Sequence, residues 1–148
     1  MVIGPEAYNR LQQKMGNLNH LLAWAHARAI ENLLSAHSTD YVLVDRFDNE
    51  RVLKKRLLPL GRQVRLDQRP KAEQNPAVAA ASILARVTFL DQMRALSRQA
   101  GFPLPRGAGP PVLAAGRRLV AEHGPEALSR FAKLHFRTTQ KVLGTGSK

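Results

Sequence analysis

Two acidic residues in this sequence stand where a carboxylate can do chemistry. Asp45 closes the apolar run Tyr41-Val42-Leu43-Val44-Asp45, and ligands of open α/β sheets gather beyond the carboxyl ends of the strands. Glu73 lies in Lys71-Ala72-Glu73, directly before an alanine-rich stretch. If the two acids converge across neighbouring strand ends they offer hard oxygen ligands, which suit Mg²⁺, a cation that prefers carboxylates and retained waters. A pair of such ions hydrolyses phosphodiesters, one activating water and the other stabilising the departing oxygen. Each acid also has a plain structural reading. Asp45 could cap the turn that follows it, and Glu73 could accept from the free N–H groups of the next helix. The five histidines form no His-Glu-x-x-His zinc pattern. Asp91 reads as a helical surface residue, and Gly107-Ala108-Gly109 lacks the Gly-Lys-Ser/Thr of a phosphate-binding loop.

The elements that must position these acids follow from periodicity. Pro5-Glu6 opens a helix that runs to Met15 before Gly16-Asn17 interrupts it. Leu21, Leu22, Trp24, Ala25, Ala29, Ile30, Leu33 and Leu34 recur at spacings of three and four, an amphipathic helix. The run 41–45 reads as a strand buried on both faces, as in parallel sheets. A basic helix over 49–58 and a second strand over 63–68 complete a βαβ unit, and Pro70 ends that strand. The longest helix is expected from Pro76 to about Ala100. A Gly/Pro-rich loop then leads to shorter helices over 112–123, 125–133 and a last segment through Leu143. The fold class is therefore α/β, short parallel strands flanked by helices with a helical C-terminal region. One domain over 1–143 and a disordered tail at 144–148 are expected. Two strands alone leave ladder edges unpaired, so the chain reads as part of a larger sheet.

Charge points to the partner. The 148 residues carry 23 Lys plus Arg against 11 Asp plus Glu, a net +12. Cations set against phosphates release condensed counterions, which drives binding to any nucleic acid. Aromatics make up 5% and are not interleaved with the basic residues, so duplex backbone contact is favoured over base stacking. Cysteine is absent, which removes disulfides, thiolate zinc sites and cysteine nucleophiles and fits the cytoplasm. No apolar run approaches a membrane span, and the first residues, with Pro5, Glu6 and Asn9, lack the basic-then-apolar pattern expected of a signal peptide.

Taken together, Val42-Leu43-Val44-Asp45-Arg46-Phe47 and Lys71-Ala72-Glu73 leading into Ala79-Ala80-Ala81-Ser82-Ile83-Leu84-Ala85-Arg86 resemble, in order and spacing, the third and fourth carboxylate motifs of type 2 ribonucleases H. Leu104-Pro105-Arg106-Gly107-Ala108-Gly109, Lys133-Leu134-His135-Phe136-Arg137-Thr138-Thr139 and the opening Pro5-Glu6-Ala7-Tyr8-Asn9 with Asn17-Leu18-Asn19 are similar to ribonuclease HIII rather than HII. The resemblance implies an RNase H-like fold and endonucleolytic cleavage of the RNA strand of RNA–DNA hybrids with Mg²⁺ or Mn²⁺. It makes Asp45 and Glu73 catalytic metal ligands, Glu73 standing where many relatives have Asp. Lys71, Arg86, Lys133 and Arg137 become candidates for substrate phosphates.

One departure weighs against this match. The family's first two metal ligands are an adjacent Asp-Glu pair on a first strand, and no Asp-Glu pair occurs here. The expectation is a truncated, split or mis-started coding sequence, also without the N-terminal substrate-binding domain usual in ribonuclease HIII, with the missing N-terminal segment supplying the Asp-Glu ligands. Alone, the chain is expected to be inactive, because ligands that act as a unit cost orders of magnitude in rate when lost. The alternatives are a non-catalytic nucleic-acid-binding module or pseudoenzyme remnant, and a ribosome-associated basic protein.

Overall fold

The order of elements is set by where the chain can and cannot continue a helix. In the computed structural model, which describes residues 1–145, α1 (Pro5–Met15) stops before Gly16, which takes a positive φ of 66°. Asn17 then caps α2 (Leu18–Ala36) by accepting from the Asn19 and His20 N–H groups. Strand β1 (Tyr41–Asp45) follows, then the short α3 (Glu50–Lys54), strand β2 (Arg65–Arg69) and a 3₁₀ turn at Ala72–Gln74. Helix α4 (Pro76–Ala100) comes next, then α5 (Pro110–His123), a 3₁₀ turn at Pro125–Ala127, α6 (Leu128–Phe131) and α7 (Arg137–Leu143). The expected tail at 144–148 lies largely outside the described residues; Gly144, at φ 71°, closes α7.

The chain divides into two compact units, one formed by residues 14–86 with Met1 and the other by residues 2–13 with 87 onward. In the first, β1 and β2 pair in parallel, Tyr41 with Arg65 through Asp45 with Arg69, around the expected βαβ connection. Val44, Leu53 and Leu57 pack with Ala23, Ala27 and Ile30 of α2, and Val42, Phe47, Val52 and Leu66 lean against them. The α2 residues that face this core are Ala23, Ala27, Ile30 and Leu34; of the expected stripe Ile30 and Leu34 are among them and Leu21 is buried, whereas Leu33 is 63% exposed. Small side chains let the helix approach the strands closely.

The expectation that β1 is buried on both faces is corrected. Alternation sends Val42 and Val44 into the core and turns Tyr41, Leu43 and Asp45 the other way. Tyr41 is exposed and Leu43 only half-buried. On β2 that second face carries Arg65, Asp67 and Arg69, charges that require water. β2 also starts two residues later than expected, because Gly61–Val64 is held in turns; the Glu31 carboxylate accepts from the Leu60 and Gly61 N–H groups at 3.1 and 3.0 Å. α3 ends at Lys54, short of the helix expected to 58, as the chain passes into a turn at Lys55–Arg56 with the Arg56 N–H donating to the Leu53 carbonyl.

The second unit has its own core of Ala100, Phe102, Leu119 and Leu128, with Leu104, Ala115, Phe131 and Val142 against it. Gly116 lets α5 and α7 approach: a Cβ there would lie 2.7 Å from Val142 Cγ2. Asn9 of α1 ties this unit's two ends together, donating from Nδ2 to the Ser129 and Ala132 carbonyls and accepting at Oδ1 from the Leu134 N–H. No helix among the described residues is long and apolar enough to cross a membrane.

Candidate functional site

At the carboxyl ends of the two strands the ladder runs one step past the last pair, the Arg46 N–H donating to the Arg69 carbonyl at 3.0 Å. Asp45 is thus the last side chain of a strand still held by its neighbour. Its Oδ1 accepts from the Ala72 N–H at 3.1 Å. That bond reaches from the end of β1 to the 3₁₀ turn after β2, and Glu73 is the next residue along that turn. Both acids are exposed, whereas Ala72 between them in this arrangement is buried at 5%.

The two plain structural readings can now be tested. Asp45 does not cap the turn that follows it; Asp48 Oδ1 accepts from the Asn49 N–H, and Asn49 Oδ1 caps α3 through Arg51 N–H. Glu73 does not cap α4; Asn75 does, its Oδ1 accepting from Ala77 N–H at 2.9 Å and its carbonyl from Ala79 N–H. The turn that carries Glu73 closes through Gln74 N–H to Lys71 O and Asn75 N–H to Ala72 O. Lys71 enters it at φ 56°, ψ 37°, the one positive-φ residue other than glycine among those described. A non-glycine residue in that region costs on the order of 1 kcal/mol or more and is found where surrounding structure dictates it.

Arginine is kept away from Asp45. Arg69, its register partner, donates instead to Asp67 Oδ2 at 2.9 Å; Arg65 donates to the same oxygen at 3.4 Å, and so does the Tyr41 hydroxyl at 3.2 Å. The Arg69 hydrogen bond, then the charge of Arg65 and the Tyr41 hydroxyl, hold the Asp67 carboxyl below its usual range. A cleft of about 480 Å³ beside the end of β1 is lined by Arg46, Asp48, Asn49, Glu50, Arg51 and Lys54. Lys54 is paired with Glu50, which leaves Arg46 and Arg51 as cations for an anionic ligand there. Sequence reasoning did not select these two, although Arg46 directly follows Asp45. The floor of this loop is fixed by Phe47, whose ring stacks on His26 at 5.0 Å and 12°; burial pushes the His26 pKa down.

The remaining expected phosphate contacts are distributed. Lys71 stands with Glu73 at the strand ends, and Arg86 lies on an exposed stretch of α4 in the first unit. Lys133 and Arg137 belong to the second unit. Lys133 Nζ sits 4.5 Å from the Tyr8 ring centroid, and Arg137 begins α7. Among the described residues no group of three or more His, Asp or Glu side chains is placed to hold a metal ion. The chemistry of Asp45 and Glu73 fits a hard divalent cation, but two carboxylates are fewer than such an ion needs, so further oxygen ligands must come from elsewhere.

The chain as a whole is similar to known proteins. The ribonuclease HII family model matches residues 3–139. The ribonuclease HIII of Protochlamydia amoebophila is 43% identical over 99% of this chain and 48% of its own length; that of Chlamydia pneumoniae is 42% identical over 96% and 48%. A crystal structure of Bst-RNase HIII in complex with Mn²⁺ superposes with a TM-score of 0.89 at 35% identity, covering 97% of this chain and 49% of the other. Aquifex aeolicus RNase H3 gives a TM-score of 0.65 at 30% identity, over 88% and 46%. The chain spans about half the length of the curated relatives it matches.

Proposed function

This chain belongs to the type 2 ribonuclease H family, with ribonucleases HIII as its relatives, and from that premise we propose that it is the C-terminal catalytic half of an endonuclease acting on the RNA strand of RNA–DNA hybrids. Asp45 and Glu73 are its contribution to a site for Mg²⁺ or Mn²⁺. When bound, the ions supply Lewis acidity at a phosphodiester, in the two-metal manner. The chain's own part is to hold two carboxylates in place without neutralising them. Lys71 and Arg86 in the first unit and Lys133 and Arg137 in the second bind substrate phosphates. The observation that carries this reading is the bond from Asp45 Oδ1 to the Ala72 N–H, which brings Glu73 to the same strand end. The cytoplasm, where cysteine-free nucleic-acid enzymes work without disulfides, is the proposed compartment.

The missing ligands belong to a segment outside this sequence, an upstream strand bearing an Asp-Glu pair. Two features support it. Among the described residues the sheet has two strands, too few to satisfy parallel ladder edges. On α4, Ile83 and Leu84 are 64% and 69% exposed; covering them is worth on the order of 2 to 4 kcal/mol. Such a segment would both complete the sheet and cover this helix. The test is cleavage of a labelled RNA–DNA hybrid with Mg²⁺ or Mn²⁺ by this chain alone and by the chain extended upstream to include an Asp-Glu strand. Cleavage is expected only from the extended chain, and equal rates from both would refute the dependence. A non-catalytic binding module is the competing reading, favoured for the isolated chain by its +12 charge. Asp45→Asn in the extended chain separates the two, since it abolishes cleavage in an enzyme and leaves a binder's affinity unchanged or slightly higher.

A further inference from the structure

In the second unit, α5 and α7 enclose a groove of about 700 Å³ whose lining includes Arg117, Arg137, Gln140, Lys141 and Thr145 and no acidic residue. Arg137 and Lys141 stand one turn apart on the same side of α7. Arg117 faces them from α5, one residue after Gly116, whose missing Cβ lets Val142 of α7 come close. All three cations are exposed, and none takes part in an ion pair among the described residues. The contrast is with Arg118, the next residue on α5, which is paired to Glu122 at 2.6 Å and lies over the Phe102 ring. Elsewhere in this unit Arg94 and Arg118 pair with acids and Arg130 and Lys133 lie over rings; along this groove there is neither. Like charges crowded into one groove repel one another unless an anion joins them. Gln140 and Thr145 add neutral polar groups between the charges.

We propose that this groove binds the phosphodiester backbone of a nucleic-acid duplex, with Arg117, Arg137 and Lys141 each neutralising a phosphate. The assignment rests on the nucleic-acid reading given above and extends it, from Arg137 alone to a built surface with Arg117 and Lys141 as new members. Backbone contacts of this kind position a duplex without reading its sequence. An RNA–DNA hybrid and a DNA duplex should therefore both use the groove.

The experiment measures binding of a fluorescein-labelled RNA–DNA hybrid, and of a DNA duplex of the same sequence, by anisotropy between about 50 and 200 mM salt. Three forms of the full chain are compared: the parent, Arg117→Gln/Arg137→Gln/Lys141→Gln, and a control with the same charge loss at ion-paired positions, Lys54→Gln/Arg94→Gln/Arg118→Gln. Glutamine keeps most of each stem, and circular dichroism checks that the variants retain the parent's helicity. The groove variant should weaken binding of both duplexes by roughly tenfold or more and flatten the plot of log K against log salt by about 2 to 3, near 0.9 per lost contact. The control should change either quantity much less. If the two variants behave alike, the groove assignment is overturned while duplex binding stands. A parent chain that fails to bind either duplex even at the lowest salt overturns the groove together with the nucleic-acid reading beneath it.

Discussion

Replacing Asp45 by Asn and, separately, by Ala divides the hydrogen bond its carboxylate makes from the cation binding proposed for it. One job is mechanical. Oδ1 accepts from the N–H of Ala72, a residue buried at 5%, and so pins the turn that carries Glu73 to the end of β1. Removing an acceptor from a buried N–H costs about 1 to 3 kcal/mol. Asp45 itself is exposed, so water can enter where an alanine leaves space, and the lower end, about 1 kcal/mol, is the expected loss for Asp45→Ala. Asparagine keeps an acceptor at the same position. It gives up only the strengthening that ionisation adds to the bond, roughly half its worth, so Asp45→Asn should lose about 0.5 kcal/mol. For a chain of this length, 1 kcal/mol moves the thermal midpoint by roughly 2 to 4 °C, so the two variants are separable by thermal unfolding in metal-free buffer. The proposed job is electrostatic, and on that proposal both variants fail it because neither carries a charge for a cation. Equal stability losses for Asn and Ala would refute the mechanical role. No loss from Ala would mean that the carboxylate does not hold the turn, and the case for bringing Glu73 to Asp45 would go with it.

Two further outcomes follow from the packing. Gly116→Ala gains about 1 kcal/mol of helix propensity but sets a methyl group 2.7 Å from Val142 Cγ2, and overpacking of this kind costs about 1 to 3 kcal/mol. Net destabilisation in urea is expected, relieved when Val142→Ala is added; a stabilised single variant would show that α5 and α7 are not so close. His26 has its pKa lowered from 6.5 by burial. Its unfolded form therefore binds the proton more readily, and the stability it contributes is complete above 6.5 and lost as pH falls through the folded value. Thermal midpoints between about pH 8 and pH 5 should fall less steeply for His26→Phe, which keeps a ring against Phe47, than for the parent. Parallel pH profiles would refute the assignment.

What the sequence disclosed, and what it hid, divides by the range of the interaction responsible. β1 was readable residue for residue because a β-branched apolar run bounded by polar residues has few other uses, and α4 because Pro76 and Gly101 bracket it. The start of β2 was misplaced because the turns before it are held by Glu31, which accepts from Leu60 and Gly61 across 29 and 30 positions. Nothing local records that. Periodicity likewise showed α2 to be amphipathic and included Ile30 and Leu34, but passed over Ala23 and Ala27, since spacing alone does not single out alanines that meet a sheet at close range. At the site, Asp45 and Glu73 were visible as acids beside strand ends. The Ala72 bond that relates them, and the Asn9 bonds to Ser129, Ala132 and Leu134 from 120 to 125 positions away, left no trace in either neighbourhood.

The charged second face of the sheet and the exposed carboxylate at its end are two sides of one arrangement. On the proposed role of Asp45, its carboxylate must not be neutralised by an arginine of its own protein, and in this chain, with arginine so abundant, that requires active management. Arg69 is the register partner of Asp45, well placed to form an ion pair with it that a divalent cation would have to break. Asp67, two residues earlier on β2, takes that guanidinium instead and draws in Arg65 and the Tyr41 hydroxyl. The cluster is self-contained: one carboxylate holds two arginines, and its pKa falls accordingly. Its consequence is that this face of β1 and β2 cannot be dry, which is why the apolar run at 41–45 is buried on one side only. The apolar pattern of β1 was read correctly as a strand, but it was β2, through Arg65, Asp67 and Arg69, that decided which side of the sheet met water and kept Asp45 free of an arginine.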